Sequence, residues 1–582
     1  MPTWLLGGFR HLRNYAVLYI FSVGFVVATA YAPTVNIRGA AGPGASAGAA
    51  GGNPQAAADP GTIAASPDAA PTPSPLGSAL QALGGGNAAI GGLIGGKPVP
   101  PGAIASGTDV TAIARGLKPG FGTTVAGVNC KPGVRQAAEI SYAPPCVPHF
   151  VGNNGGKTYH GVDAKNINLC FREFTDSGTQ AGQALQVGLS GEPISQVEST
   201  IDTFVKYFND HYDFYGRKIN LIRHTGKGAY GDENAGGGQD NARADAIECH
   251  DTLNGFAELG VAAESEVYVD QLRPLGVPTI AGPVYDPTPY FDSRAPFAWD
   301  MGIDCDYVAD YEANFIGKEL GKANATHAGD ATYKLAPRKY GLMVPDLASY
   351  SHCGDLLEKH LKDRYGISLQ LRINYQLNIA TVSQQTQDYV AKYKDAGVTS
   401  LILLTDDISP AFMTQQADKA NWRPEWIISG ISNIDVDAIA RVYTQDQWTH
   451  AIGPSLLTLK AQNKNTTDGH AAYIAESSDG KYAYSAEGYF RALNAFANMV
   501  QMAGPNLTPY TMEQGYFYFP PTSGEYGLLY FGPHNHFNTH DVRNVYWSAT
   551  AIGADGQPGS YVDVTPGKRY RADTWPSGDP FP

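Results

Sequence analysis

The chain has 582 residues, with 41 lysines and arginines against 55 aspartates and glutamates, and its length allows three or four domains. The first 120 positions hold six basic and three acidic residues, so the rest of the chain carries a net charge of −17. This acidity argues against binding to nucleic acid, which needs clustered positive charge. A content of 43% hydrophobic and 11% aromatic residues fits a globular protein with a substantial core.

Residues 1–32 have the pattern of an export signal. Arg10 and Arg13 precede an apolar run at positions 15–32, and such a basic flank stays on the cytoplasmic side of the membrane. The run is longer than a usual signal core of about 7–15 residues and close to the ~20 residues that span a bilayer. A cleaved signal peptide and a retained membrane anchor both remain open. Either one predicts an exported protein that is surface-anchored or secreted.

Residues 33–120 are rich in alanine, glycine and proline and contain no phenylalanine, tyrosine or tryptophan. Such a segment cannot bury enough apolar surface to offset the entropy lost on ordering. We therefore predict a disordered linker that tethers the folded body to the membrane or cell surface.

The six cysteines all follow the predicted export signal, where disulfides persist. Residues 121–164 form an N-terminal extension, and Cys130 and Cys146 within it are the most plausible local pair. Cys305 and Cys353 each lie near the start of a predicted helix and could also pair. No C-x-x-C motif is present, so metal binding through thiolates is not expected.

From residue 165 onward, short apolar strands alternate with helices of 10–15 residues. The alternation predicts parallel sheets covered on both faces, because strands buried on both sides are continuously apolar. Two such series predict two α/β lobes. The predicted boundaries are 165–300 for the first part of lobe 1, 301–446 for lobe 2, 447–530 for the return to lobe 1, and 531–582 for C-terminal strands and a tail.

A G-x-G-x-x-G motif at Gly226, Gly228 and Gly231 follows the strand at 218–222. In a dinucleotide-binding turn the helix begins within the glycines, whereas here residues 232–240 intervene. We therefore favour a flexible loop at the edge of the lobe.

A second cluster, His534, His536, His540 and Asp541, could ligate a transition metal or form a polar turn ahead of a strand. The G-x-S-x-G at residues 44–48 lies in the predicted linker, where no nucleophile elbow can form. No catalytic residue and no cofactor are expected.

Several segments of the body resemble type I periplasmic solute-binding proteins of the leucine/isoleucine/valine-binding branch, the substrate-binding proteins of ABC transporters. The resemblance covers roughly residues 165–564 and follows the family's order. The matching segments are a helix and strand at 201–222 joined by a turn at Gly216-Arg217-Lys218, the strand 276–280, the crossover 296–299, the strand 339–343, and the turn and strand at 394–404.

The resemblance implies a type I two-lobed fold with a cleft that captures a small molecule, amino-acid-like or another small polar solute, for an ABC importer. It implies an ABC permease as partner, with the membrane contacted through the N-terminal segment. The alternative is the ectodomain of a ligand-sensing receptor on the same fold.

The resemblance also implies ligand-contacting positions after the strands. Ser265 and free backbone N–H groups would bind a carboxylate, Tyr350 would close over an apolar side chain, and Asp406 or Asp407 would pair with an ammonium. Asp406 and Tyr350 could instead cap a helix or only pack. Glu264 stands where a neutral residue is commoner and would repel an anion. The full set is Glu264, Ser265, Gly282, Tyr285, Tyr350, Asp406 and Asp407.

Overall fold

The computed structural model describes residues 121–174, 191–229, 232–233, 236–261, 265–282, 285–376 and 381–581. It also assigns two short antiparallel strands, β1 (Leu93–Ile94) and β2 (Lys97–Pro98). The predicted signal or anchor, most of the predicted linker, and Glu264 lie outside the described residues. In the described part of the chain, no helix is both long and apolar enough to cross a membrane.

The N-terminal extension begins with a small antiparallel pair, β3 (Gly122–Thr123) and β4 (Asn129–Cys130). A disulfide between Cys130 and Cys146 closes the following loop, with Cα atoms 5.5 Å apart. The Tyr142 hydroxyl donates to the Gly527 carbonyl at 2.8 Å, and the Ser141 N–H donates to Asp468 at 2.7 Å. The extension is therefore packed onto residues more than 320 positions later in the chain.

The first sheet has five parallel strands in the spatial order β6-β5-β7-β8-β9. A disulfide between Cys170 and Cys249, which the sequence left without assigned partners, ties β5 to the helical turn directly after α2. The elements are β5 (Asn166–Glu173), α1 (Ile194–His211), β6 (Lys218–Thr225), α2 (Gln239–Ile247), β7 (Ala257–Leu259), α3 (Glu266–Leu272), β8 (Thr279–Ile280), α4 (Thr288–Arg294) and β9 (Ala298–Trp299).

The second sheet has seven strands in the order β11-β10-β12-β13-β14-β17-β18, of which the first five are parallel. A disulfide between Cys305 and Cys353 joins its first two helices. The elements up to β14 are α5 (Cys305–Phe315), β10 (Tyr340–Pro345), α6 (Ala348–Tyr365), β11 (Leu371–Tyr375), α7 (Val382–Asp395), β12 (Ser400–Leu403), α8 (Ser409–Lys419), β13 (Glu425–Ile428), α9 (Asp437–Ala440), α10 (Gln445–Trp448) and β14 (Ala451–Ser455).

The chain then returns to the first sheet and ends on the second. The elements are α11 (Asp468–Glu476), α12 (Glu487–Ala503), α13 (Pro509–Tyr516), the hairpin β15 (Thr522–Gly524) and β16 (Gly527–Leu529), and then β17 (Arg543–Ile552) and β18 (Pro558–Asp563). Residues 451–455, expected in the return to lobe 1, are instead the fifth strand of the second sheet. Their backbone pairs with β13 and β17, because an apolar run fits the sheet interior.

We call the five-stranded sheet with α1–α4 and α11–α13 lobe 1, and the seven-stranded sheet with α5–α10 lobe 2. Phe204 of α1 and Phe490 and Phe496 of α12 are fully or almost fully buried in one cluster with β5 and β7. Each such burial contributes about 1.5–3 kcal/mol. The late helices are therefore part of the lobe 1 core, although the chain between them and β9 builds lobe 2.

The parallel strands of both lobes share one spatial order, in which the first strand lies between the second and the third. Open α/β sheets of this order bind ligands outside the carboxyl ends of their strands. The loops that follow the strands are therefore where a functional site is expected.

Candidate functional site

The carboxyl edges of the two sheets meet at Tyr285, Tyr350 and Ser432. Tyr285 lies in the loop after β8 of lobe 1, and Ser432 lies in the loop after β13 of lobe 2. The Tyr285 hydroxyl accepts a hydrogen bond from the Ser432 backbone N–H at 3.0 Å, and the Ser432 Oγ lies 3.4 Å from it. Tyr350, in the first turn of α6, places its hydroxyl 2.7 Å from the same Oγ.

The two tyrosine rings make an edge-to-face contact, with centroids 5.1 Å apart and planes at 71°. This geometry is one that aromatic pairs prefer. The three residues thus form one contact between the lobes, with three hydroxyl groups and one backbone N–H close together. We call it the interlobe contact.

The backbone on both sides of the interlobe contact is strained. Ala281 and Tyr285 have φ angles of 70° and 63°, and Ser432 and Asn433 have φ angles of 51° and 60°. These four are half of the eight non-glycine residues with positive φ in the described part of the chain. Each costs of order 1–3 kcal/mol, and such residues cluster at ligand sites and switches.

Buried carboxyl groups lie beneath the loop that carries Tyr285. Asp300, after β9, accepts hydrogen bonds from the backbone N–H groups of Tyr285 at 3.2 Å and Gly302 at 2.6 Å. Burial raises the pKa of Asp300 to about 6 and that of Asp304 to about 7. Burial, with help from the neighbouring Glu266, raises the pKa of Asp286 to about 8. The lobe 1 side of the contact is therefore acidic but incompletely ionised at neutral pH.

Ser265 does not lie at the interlobe contact. It is buried, and its Oγ donates to the Glu233 carboxylate at 2.8 Å. Gly282 is also engaged, since its N–H donates to the Trp299 carbonyl at 3.2 Å. Ser265 and Gly282, which the sequence predicted to contact a ligand, therefore both have hydrogen-bond partners within the protein.

Asp406 caps helix α8. Its carboxylate accepts from the N–H groups of Ile408 at 2.7 Å and Ser409 at 2.8 Å, and also from the Ser409 and Tyr375 hydroxyls. Of the two roles left open by the sequence, this geometry is that of a cap. For Asp407, burial and the neighbouring Asp406 raise the pKa to about 7, so its carboxyl group is partly protonated near neutral pH.

Sequence patterns did not single out Ser432, Asp300 and Asp286. Each follows a strand of the body, so a search for polar residues at every strand end would have found them. What no local signal reveals is that Ser432 reaches Tyr285, 147 positions earlier.

Glu233 shows how the described part of the glycine-rich segment is held. Glu233, in the described part of that segment, is buried and bonded to the buried Arg172. At Glu233 the expected flexible edge loop is instead anchored, because a buried arginine requires a carboxylate partner.

The histidine cluster is dispersed among separate partners. His534 lies 2.9 Å from Asp292, and His536 lies 3.0 Å from Glu513. His540 donates to the Tyr530 carbonyl, and burial lowers its pKa to about 4. Among the described residues, one group has atoms at metal-ligand spacing, namely Cys170, Cys249 and Glu258. Its cysteines form a disulfide and so cannot bind a metal as thiolates.

Together, these features define a mixed α/β protein of two lobes whose parallel sheets meet at their carboxyl ends. No protein-family model and no curated protein matches the sequence.

Solved structures of similar fold are ABC transporter solute-binding proteins of the leucine/isoleucine/valine-binding type. One, from Rhodopseudomonas palustris BisB5, is a complex with 3,4-dihydroxybenzoic acid; it is 12% identical, with 70% of this chain and 98% of that chain covered and a TM-score of 0.49. A leucine complex from Desulfitobacterium hafniense is 12% identical over 68% and 99%, with a TM-score of 0.43. A possible leucine/isoleucine/valine-binding protein from Rhodopirellula baltica SH 1 is 9% identical over 69% and 96%, with a TM-score of 0.45. At these identities the likeness concerns the fold alone.

Proposed function

We propose that this protein is an extracytoplasmic solute-binding protein that captures a small polar molecule between its lobes for an ABC importer. The observation that carries the proposal is the interlobe contact of Tyr285, Tyr350 and Ser432. It joins the carboxyl edges of two sheets with the same strand order, which is where open α/β sheets take ligands.

The connections between the lobes suit a hinged capture. In the described residues the chain passes between lobes three times: from β9 to α5, from β14 to α11, and from β16 to β17. Two lobes joined in this way can close around a ligand by small backbone rotations in the connecting segments. The strained backbone at Tyr285 and Ser432 supplies residues whose conformation can change on closure.

Tyr285, Tyr350 and Asp407 are the ligand-contacting residues in this proposal. The tyrosines offer an aromatic surface and hydroxyl groups, and Asp407 can pair with an ammonium once it is ionised. Ser265, Gly282 and Asp406 remain sequence-based candidates but have internal partners, and Glu264 remains a sequence-based expectation. A small solute with a hydroxyl or amino group fits these chemistries better than a purely anionic one.

The three disulfides support the extracytoplasmic part of the proposal, because disulfides persist in oxidising compartments. Attachment to the membrane through residues 1–32 stays a sequence-based prediction. Mass spectrometry of the mature chain tests it, since a chain beginning near residue 31 or 33 has lost that segment.

A thermal-shift screen of the wild-type chain over amino acids, amides, hydroxylated aromatic acids and short peptides tests the function. A ligand at 100 times its Kd adds about 2.7 kcal/mol of stability. For any ligand found, we expect Tyr350→Ala to weaken binding at least about tenfold. Tyr365→Ala is the matched control, because Tyr365 is a partly buried tyrosine elsewhere on α6.

Failure of every probe to raise the melting temperature would count against the function. An unchanged affinity in Tyr350→Ala would count against the site. Permease and ATPase genes beside this one would support transport, whereas a neighbouring kinase gene would favour the sensing alternative.

A further inference from the structure

At the interlobe contact, the Tyr285 side chain of lobe 1 is held by residues of lobe 2 in the way that a bound ligand would be. The phenol oxygen of Tyr285 receives the Ser432 N–H at 3.0 Å and lies 3.4 Å from the Ser432 Oγ. The Tyr285 ring makes an edge-to-face contact with Tyr350 and also packs against the core of lobe 2, although the residue belongs to lobe 1. A side chain from one lobe therefore fills a phenol-shaped position on the other.

Hydrogen bonds fix the loop that carries Tyr285, so that the side chain stays at the interlobe contact. The Tyr285 N–H donates to the buried carboxylate of Asp300, and the Asp286 carbonyl accepts from the N–H of Cys305 at the start of α5. The positive φ angles of Ala281 and Tyr285 show that this position is reached against a local backbone preference. The contacts made by the phenol offset that strain.

Burial at this point favours a neutral hydroxyl group over an anion. The Ser432 N–H and the Ser432 hydroxyl lie next to the Tyr285 oxygen, and the Tyr350 hydroxyl lies next to the Ser432 hydroxyl. Among the described residues, no basic side chain is hydrogen-bonded to the Tyr285 oxygen. Burial raises the pKa of Tyr285 to about 12, although the hydrogen bonds from Ser432 lower it; the charge of Asp300 adds to the rise and that of Arg491 opposes it. A carboxylate at this point would meet the same burial and the same acidic neighbour.

We infer that Ser432 and Tyr350 form a subsite for an aryl hydroxyl group, which Tyr285 occupies in this structure and from which an external phenol competes to displace it. We call this pair the Ser432 subsite. The inference deepens the proposed function and rests on the same cleft, since it names the class of ligand group that the lobe 2 side recognises.

The test uses p-cresol, which is the tyrosine side chain as a free molecule. In the full-length chain, Tyr285→Ala empties the Ser432 subsite, and p-cresol should refill it. We expect p-cresol to bind Tyr285→Ala at least about tenfold more tightly than the wild type in a saturation-transfer NMR titration. It should also raise the melting temperature of the variant by about 1–2 °C at several times its Kd. Toluene, which lacks the oxygen, should bind the variant weakly.

Two further variants locate the effect. Tyr285→Phe keeps a ring in place that competes with p-cresol, so it should bind p-cresol more weakly than Tyr285→Ala does. Tyr365→Ala controls for cavities left by any tyrosine, because the Tyr365 ring lies close to Gly317 and its hydroxyl bonds to Asn314 rather than to Ser432. If Tyr285→Ala does not fold, Tyr285→Gly opens the same space, suits the φ angle of 63° at this position, and carries the same comparison.

Selective binding of p-cresol to Tyr285→Ala would support the Ser432 subsite. The Ser432 subsite would be ruled out if p-cresol bound the wild type or Tyr365→Ala as tightly as it binds Tyr285→Ala. It would also be ruled out if toluene and p-cresol bound Tyr285→Ala equally. These measurements need no transported solute. Their failure would therefore leave the solute screen on the wild type unaffected, and an unsuccessful screen would not alter the p-cresol comparison.

Discussion

The guanidinium of Arg172 donates hydrogen bonds to the carboxylate of Glu233, with both side chains fully buried, and one of these bonds is 3.0 Å long. Arg172 lies on β5, and Glu233 lies in the glycine-rich segment 61 positions later. The same guanidinium also pairs with Asp245 of α2, and Ser265 donates to Glu233 from the loop after β7. One buried arginine therefore connects four segments of lobe 1.

We expect Glu233→Ala to lower the free energy of unfolding by about 3 kcal/mol, because it leaves a buried cation with one carboxylate fewer. Urea denaturation measures the loss. Asp240→Ala is the control: Asp240 follows closely in the chain, and its side chain is fully exposed beside Arg243, so about 0–1 kcal/mol is expected. Equal losses in the two variants would contradict a structural role for the Arg172–Glu233 pair.

Asp286 should make stability fall as pH rises. The residue is 3% exposed, one carboxylate oxygen has no hydrogen-bond partner, and burial raises its pKa to about 8 from an ordinary value of 3.8. Between these two pH values the folded chain keeps a proton that the unfolded chain loses, so the free energy of unfolding decreases with rising pH. Glu266, Asp300 and Asp270 reinforce the shift and Arg294 opposes it.

Asp286→Asn removes this dependence. We expect the stability of the variant relative to the wild type to increase from pH 5 to pH 8, by at most about 1.4 kcal/mol per pH unit. Denaturation curves at several pH values check it. Asp418→Asn is the control, because Asp418 pairs with Arg423 at the surface, its side chain is 41% exposed, and it does not act on Asp286. A relative stability that stays constant with pH would show that Asp286 is ionised throughout.

Asp406 should contribute to stability as a helix cap. It accepts two backbone N–H groups at the start of α8, and loss of such a cap costs about 0.5–2 kcal/mol. We expect Asp406→Ala to lose about 1–2 kcal/mol in urea denaturation. Asp388→Ala, which breaks an exposed pair with Lys392, should lose about 0.5 kcal/mol or less. A loss no larger than that of the control would return Asp406 to the candidates for ligand binding.

The disulfides should differ in their effect on stability. Cys170 and Cys249 are 79 positions apart, whereas Cys130 and Cys146 are 16 apart. In the chain-entropy model the longer loop contributes about 4.5 kcal/mol and the shorter about 3 kcal/mol. We therefore expect the double substitution of Cys170 and Cys249 by alanine to be the more destabilising in urea denaturation. The reverse order would contradict the model for this protein.

Peptide mapping under non-reducing conditions tests the connectivity itself. We expect three cross-linked peptide pairs, joining Cys130 to Cys146, Cys170 to Cys249, and Cys305 to Cys353. Recovery of any of these cysteines as a free thiol would refute its bond.

The alternation of strands and helices follows from the sequence because strands buried on both faces are apolar without interruption. The run at residues 400–404 is β12 (Ser400–Leu403), and the run at 425–429 is β13 (Glu425–Ile428). Boundaries were less accurate where the signal is weak. The strand expected at 256–262 is Ala257–Leu259, and the helix expected at 350–361 begins at Ala348 and continues to Tyr365.

The sequence alone therefore determined that this is an acidic α/β protein of two lobes with polar residues after its strands, because burial and periodicity are properties of local segments. Only the tertiary structure decided what those polar residues bind. Ser265 bonds to Glu233, Asp406 caps its own helix, and Tyr285 reaches Ser432 across 147 positions. A residue with a hydroxyl or carboxylate group reads the same in the sequence whether its side chain contacts a ligand or a neighbouring chain segment. Which partner it takes depends on distances that packing sets, and two lobes brought together by three crossovers fix those distances.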